Sequence, residues 1–113
     1  MPHCLIEYSQ NLTQQQPVQN LLEAVFDGVG KSGLFDRSHI RVRAMAFADF
    51  LLVSSDQAFV HVTIRLHQGR SPEQRKQLSA EVLQALLTLH FNHTSITVET
   101  VEMDTASYSK QQV

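Results

Sequence analysis

The sequence predicts an α+β fold in which two βαβ units in tandem form a four-stranded sheet with two helices on one face. Three observations carry this expectation. Two segments repeat their apolar residues with a helical period, and the others alternate like strands. Their order is strand, helix, strand, a short hairpin piece, then strand, helix, strand. The two units also superpose at a spacing of about 56 residues, Pro2 falling on Ala58. One unit then covers about 2–55 and the other 58–104 of a single domain, 1–113, near the usual domain size. Identity between the halves is poor, so the repeat is architectural only. Each crossover is expected to be right-handed, joining two parallel strands.

The first strand is Pro2-His3-Cys4-Leu5-Ile6-Glu7-Tyr8, and Gln14 to Gln16 reads as a loop or a frayed first turn. In the first helix Val18, Leu21, Leu22, Val25, Phe26 and Val29 fall on one face. Pro17 stands where a first-turn proline is tolerated, because its missing N–H would have no partner there. Gly28, Gly30 and Gly33 cluster near the end, with Gly33 as a left-handed cap. His39 to Phe47 alternates, Ile40, Val42 and Ala44 lying opposite Arg41, Arg43 and Met45. The apolar run Phe50 to Val53, followed by Ser54-Ser55-Asp56-Gln57, suggests a hairpin into the third strand.

That strand, Ala58 to Leu66, sets Val60, Val62, Ile64 and Leu66 against Phe59, His61, Thr63 and Arg65. Ser71-Pro72-Glu73-Gln74 opens the second helix with a serine N-cap, a proline at N1 and a glutamine that can reach back to the cap. Leu78, Val82, Ala85, Leu86 and Leu89 form its buried stripe, and the helix is expected to stop near Phe91-Asn92. In Ser95 to Met103 the apolar phase changes between Val98 and Val101, which predicts a bulge or a strand end. The sheet face away from the helices carries Met45, Phe47 and Phe59, too apolar to leave wet, so a partner subunit is expected.

Composition narrows the function. The formal net charge is −2, from 9 basic and 11 acidic residues, which is no electrostatic footprint for nucleic acid. No segment approaches the roughly 18–20 apolar residues that span a membrane. The amino end lacks the regions of a secretory signal, and the single cysteine, Cys4, allows no internal disulfide. Together these readings lead us to expect a cytoplasmic protein. No GxGxxG, Walker, CxxC or HExxH pattern is present, so no cofactor is expected. The six histidines are scattered without an acidic partner in a ligand pattern, so no metal is expected either. Cys4 reads as a small buried hydrophobe, and Phe59 and His61 as interface residues.

One position carries chemistry. If Met1 is removed, as is normal before a small second residue, Pro2 becomes a free secondary amine at the head of an ordered strand. A terminal amine has a reference pKa of about 7.7–8.0, and burial or neighbouring cations lower it. An amine held in place and neutral near pH 7 is a general base. Arg70, between Gly69 and the Ser71 cap, stands at a helix N-terminus, where anions are favoured. Arg41 falls on the non-core strand face, with Arg43 two residues on as its rival. Tyr108 is a candidate aromatic wall from the C-terminal tail.

Pro2-His3 with Ile6-Glu7, Ser32-Gly33-Leu34-Phe35, Ile40-Arg41 with Arg43, and Ala58-Phe59-Val60-His61-Val62-Thr63 carry a resemblance. So do Gly69-Arg70-Ser71 with Glu73 and Arg75, and His90-Phe91. In order and spacing these pieces resemble the 5-carboxymethyl-2-hydroxymuconate delta-isomerase family of the tautomerase superfamily. That resemblance implies a homotrimer with active sites at subunit boundaries and a place in aromatic catabolism. It implies a cofactor-independent isomerase acting on a small carboxylated substrate, an unsaturated 2-oxo or 2-hydroxy dicarboxylate. Pro2 would be the catalytic base, and Arg41 and Arg70 would bind the substrate. Alternatives are another activity of the superfamily, a non-catalytic oligomeric binding protein of the same fold, and an interaction module bound through its sheet face.

Overall fold

A computed structural model describes residues 1–113. The chain runs β1 (His3–Ser9), α1 (Val18–Lys31), β2 (Arg41–Phe47), β3 (Ala58–His67), α2 (Pro72–Leu87) and β4 (Thr94–Met103), with short 3-10 turns at Gln10–Gln14, Arg37–His39 and Thr105–Ser107. The sheet order is β2-β1-β3-β4. β1 runs parallel to β2 and β3 parallel to β4, while the two central strands, β1 and β3, are antiparallel. The tandem βαβ reading therefore holds: each unit contributes one central and one edge strand.

Strand alternation supplies the core. Cys4 and Ile6 of β1 and Val60, Val62, Ile64 and Leu66 of β3 are wholly buried. They meet Leu21, Val25 and Val29 of α1 and Leu78, Val82 and Leu86 of α2 in one cluster. Each such side chain stabilises the fold by about 1.5–3 kcal/mol. The cap of α2 forms as its residues dictate: Ser71 Oγ accepts from Gln74 N–H at 3.1 Å, and Gln74 Oε1 accepts from Ser71 N–H at 2.9 Å. No helix is long and apolar enough to cross a membrane.

Several expectations are corrected. Phe50 to Val53 is not a hairpin strand, and Leu51 and Val53 are 94% and 99% exposed. A hairpin needs neighbouring partners, and here β1 lies between β2 and β3. β4 has no bulge, since its register with β3 runs unbroken from Ala58↔Thr94 to His67↔Met103. The change of apolar phase instead marks a change of cover. Val101 and Met103 lie on the face away from the helices, where the C-terminal segment leaves Met103 8% exposed.

α2 ends earlier than expected, at Leu87. Thr88 Oγ1 bonds back to the Ala85 carbonyl at 2.6 Å, and His90 takes a left-handed φ of 59°. The freed carbonyls are met from the glutamine run. Gln16 Nε2 donates to Leu89 O at 2.6 Å and Gln15 Nε2 to Asn92 O at 3.0 Å, so this segment is a clamp. Pro17 is the N-cap of α1, one residue before its first turn. Gly33 has the expected positive φ, 72°.

Gly28 lies near the end of α1, as expected, but it also serves packing. It is buried where α1 crosses α2, and a Cβ there would stand 2.8 Å from Val82 Cα and 3.1 Å from Glu81 O. Those are backbone atoms, so the helices would have to part. Overpacking of this kind costs about 1–3 kcal/mol, against about 1 kcal/mol gained in helix propensity. Gly28→Ala is expected to lower the urea midpoint by a net loss of up to about 2 kcal/mol; a raised midpoint would mean that the helices pack more loosely than described.

Candidate active site

Topology brings distant parts of the chain to one end of the sheet. Because β1 and β2 are parallel, both start there, and the register sets His3 opposite Arg41. Because β3 is antiparallel to β1, it finishes there, and so the turn carrying Arg70 lies at the same end. β4 follows β3, so the C-terminal segment leaves from that end too.

Pro2 is buried just ahead of β1, and its carbonyl accepts from Arg41 N–H at 3.1 Å. The Met1 amine is held below its ordinary pKa, first by partial burial and then by the cations of Lys110, Arg70 and Arg41. The Pro2 nitrogen stands one residue along the chain from that amine, a span of at most ~3.6 Å. The end of the sheet thus brings together all three residues singled out from the sequence, Pro2, Arg41 and Arg70.

Each arginine is held differently. Arg70 Nη2 donates to the Leu34 carbonyl at 2.8 Å, and its guanidinium lies 5.2 Å from the centre of the Phe35 ring. Its Nε is buried and has no partner. The Leu34-Phe35 loop of the first half therefore seats an arginine of the second, with its buried Nε–H left without a partner. Gly69, at φ 115°, allows the turn that delivers it. Arg41 shares its strand parity with Arg43, but its Nη1 turns back to the Ser38 and Ile40 carbonyls at 2.7 and 3.3 Å. It borders a groove of about 550 Å³ between α1 and β2, with Leu22, Phe26 and Val42. Arg43 stays on the open sheet face, where Nη1 lies 3.3 Å from His3 Nδ1. The two arginines therefore serve different surroundings.

His3 points onto the open face. Its Nε2 is 2.7 Å from the Tyr108 hydroxyl. Burial, then Arg43, the terminal amine, Arg41 and Arg65, hold its pKa below the usual histidine value. His61 is engaged by Thr97 and Glu99, each at 2.6 Å. Lys110 was missed in the sequence. The tail that carries it has no periodicity, and only tertiary folding brings its charge to bear on the Met1 amine.

Cys4 is fully buried and its thiol is pushed up to about 12 by burial, partly offset by Arg43. The thiolate is the reactive form. A thiol reagent such as dithionitrobenzoate is expected to leave the native protein unlabelled near neutral pH and to label it stoichiometrically in denaturant. Rapid labelling of the folded protein would contradict this burial.

Two βαβ units on one sheet, with both helices on the same face, give a tautomerase-like fold. The model of the family described as 5-carboxymethyl-2-hydroxymuconate isomerase matches residues 2–112. The chain belongs to that family and is an isomerase. It is 31% identical over 93 residues to the 5-carboxymethyl-2-hydroxymuconate Delta-isomerase of Escherichia coli, an alignment covering 80% of this chain and 73% of that one. Its fold is similar to the crystal structure of a 5-carboxymethyl-2-hydroxymuconate isomerase from Deinococcus radiodurans R1, with a TM-score of 0.85 at 23% identity over 99% of this chain and 90% of that chain. It is also similar to a fused 4-OT solved as a wild-type symmetric trimer, with a TM-score of 0.67 at 20% identity over 93% and 92% of the two chains.

Proposed function

We propose that this isomerase moves a proton within an unsaturated 2-oxo or 2-hydroxy dicarboxylate, without a cofactor, using Pro2 as the base once Met1 is removed. The Pro2 nitrogen takes a proton from the carbon beside the 2-oxo group. The electron pair passes into a dienolate, and the same nitrogen returns the proton at a different carbon. Arg41 and Arg70 jointly hold the carboxylate and the 2-oxo oxygen. Charge grows on that oxygen as the dienolate forms, so a guanidinium aimed at it favours the transition state over the ground state.

The observation that carries this reading is the convergence of two arginines, from opposite halves of the chain, on the amino end of β1. Their positive charge disfavours the protonated amine and readies it as a base. The buried, unpartnered Nε–H of Arg70 adds a donor free for an anion. We further propose that the whole chain acts as one domain within a homotrimer. Support comes from the symmetric trimer among the similar folds and from the apolar side chains outside the core, Met45 at 54% exposure and Phe50 at 38%. Such surface calls for a partner.

Intact mass and an assay test this together. The expected protein lacks Met1 and ketonises 2-hydroxymuconate or phenylenolpyruvate, and Pro2→Ala loses that activity. A retained Met1 would turn the Pro2 nitrogen into an amide with no basic lone pair, and the base would have to be sought elsewhere.

A further inference from the structure

After β4 the chain makes the turn Thr105–Ser107 and lies against the open sheet face. Tyr108 pins it there at two points. Its hydroxyl is 2.7 Å from His3 Nε2 on β1, and its ring meets His67 of β3 edge-on, with centroids 4.7 Å apart. Thr105 Oγ1 adds a longer contact to His67 Nδ1 at 3.5 Å. His3 is the residue next to Pro2, and Lys110 follows Tyr108 by two positions, a reach of at most ~7 Å. The pinned tail thus carries an ammonium group to the amino end of β1.

We propose that the C-terminal segment is a strap, pinned through Tyr108 to His3 and His67, whose Lys110 is the third cation of the substrate pocket beside Arg41 and Arg70. Lys110 binds an anionic group of the substrate and holds the terminal amine in its neutral form. The inference rests on the reading of Pro2 as the base. The cations that lower the pKa of the Met1 amine are Lys110 of the tail, Arg70 of the β3–α2 turn and Arg41 of β2, and His3 of β1 is the next residue after Pro2. Arg43, Arg65, Glu102 and Asp104 line the hollow behind His3. Lys110 is among the cations that hold the Met1 amine below its ordinary pKa, after partial burial and together with Arg70 and Arg41. It is also exposed and makes no ion pair, so its charge is free for a ligand.

The test compares Lys110→Met, Lys110→Arg and Tyr108→Phe in the full chain, using 2-hydroxymuconate over about pH 5 to 9. Losing one charge-assisted contact is expected to raise KM roughly tenfold or more in Lys110→Met. The acid limb of kcat/KM should also move to higher pH, because the amine keeps its proton more tightly once a neighbouring cation is gone. Lys110→Arg should restore both quantities. Tyr108→Phe, which keeps the ring against His67 but loses the bond to His3, should shift both in the same direction by less. A wild-type KM and acid limb in Lys110→Met would overturn the proposal, as would an arginine variant as impaired as the methionine one. No effect of Tyr108→Phe would overturn the pinning. Pro2→Ala separates the two levels. If it retains full activity, the base assignment falls; if it is inactive while Lys110→Met behaves as wild type, only the strap falls.

Discussion

Pro2→Ala is expected to lower kcat for ketonisation by roughly 10²- to 10⁴-fold, the range that a positioned general base contributes. Alanine also permits removal of Met1, so the variant keeps a terminal amine. What it loses is the ring, which ties the nitrogen to its own side chain and limits the directions in which the lone pair can point. A single base that removes a proton at one carbon and returns it at another depends on that direction. Stability should change little, since proline donates no backbone hydrogen bond and the β1 ladder begins at His3. Steady-state kinetics beside a thermal melt therefore separate chemistry from folding. Activity within a few-fold of wild type, in a protein shown by mass to lack Met1, would reject Pro2 as the base.

Arg70→Ala is expected to lower kcat/KM by about 10²- to 10³-fold, as seen when one donor to a developing oxyanion is removed. Lysine should rescue little. Arg70 Nη2 is engaged by the Leu34 carbonyl and the guanidinium lies over Phe35, so two features of one planar group are in use while Nε–H has no partner. A lysine presents a single ammonium and cannot donate through a fork. Loss of the Arg70 cation also lets the terminal amine hold its proton more tightly, so the acid limb of the rate profile should move to higher pH. An alanine variant with wild-type kcat/KM, or full rescue by lysine, would place the anion elsewhere.

The parts of the fold legible in the sequence are those set by short-range rules. The alternation of Val60, Val62, Ile64 and Leu66 allows only one side of β3 to be buried, and all four are. Ser71 and Gln74 form their reciprocal cap because both partners lie within one helical turn. The errors fell where the deciding partner is distant in sequence. Phe50 to Val53 has strand-like composition, yet β1 occupies the place its hairpin partner would need. Val101 and Met103 looked like a bulge or a strand end because nothing nearby announces a change of cover to the other face. Gly28 was read only as one of the glycines near the helix end, and its contact with Val82 of the second helix had no signal in the sequence.

The candidate site divides in the same way. Pro2, Arg41 and Arg70 could be singled out from local chemistry and from resemblance: a secondary amine at a strand head, an arginine opening a strand, an arginine before a helix cap. Lys110 could not, because a lysine in an aperiodic tail has no pattern to read.

By itself, the sequence determined the two βαβ units, their buried faces and the helix start at Ser71, and it singled out the residue proposed as the base, since periodicity and capping act over a few residues. The tertiary structure alone decided that the start of β1, the start of β2, the end of β3 and the tail share one end of the sheet. The physical reason is the antiparallel pairing of β1 with β3. It joins residues some sixty positions apart through backbone hydrogen bonds that all strand residues can make and that none specifies alone.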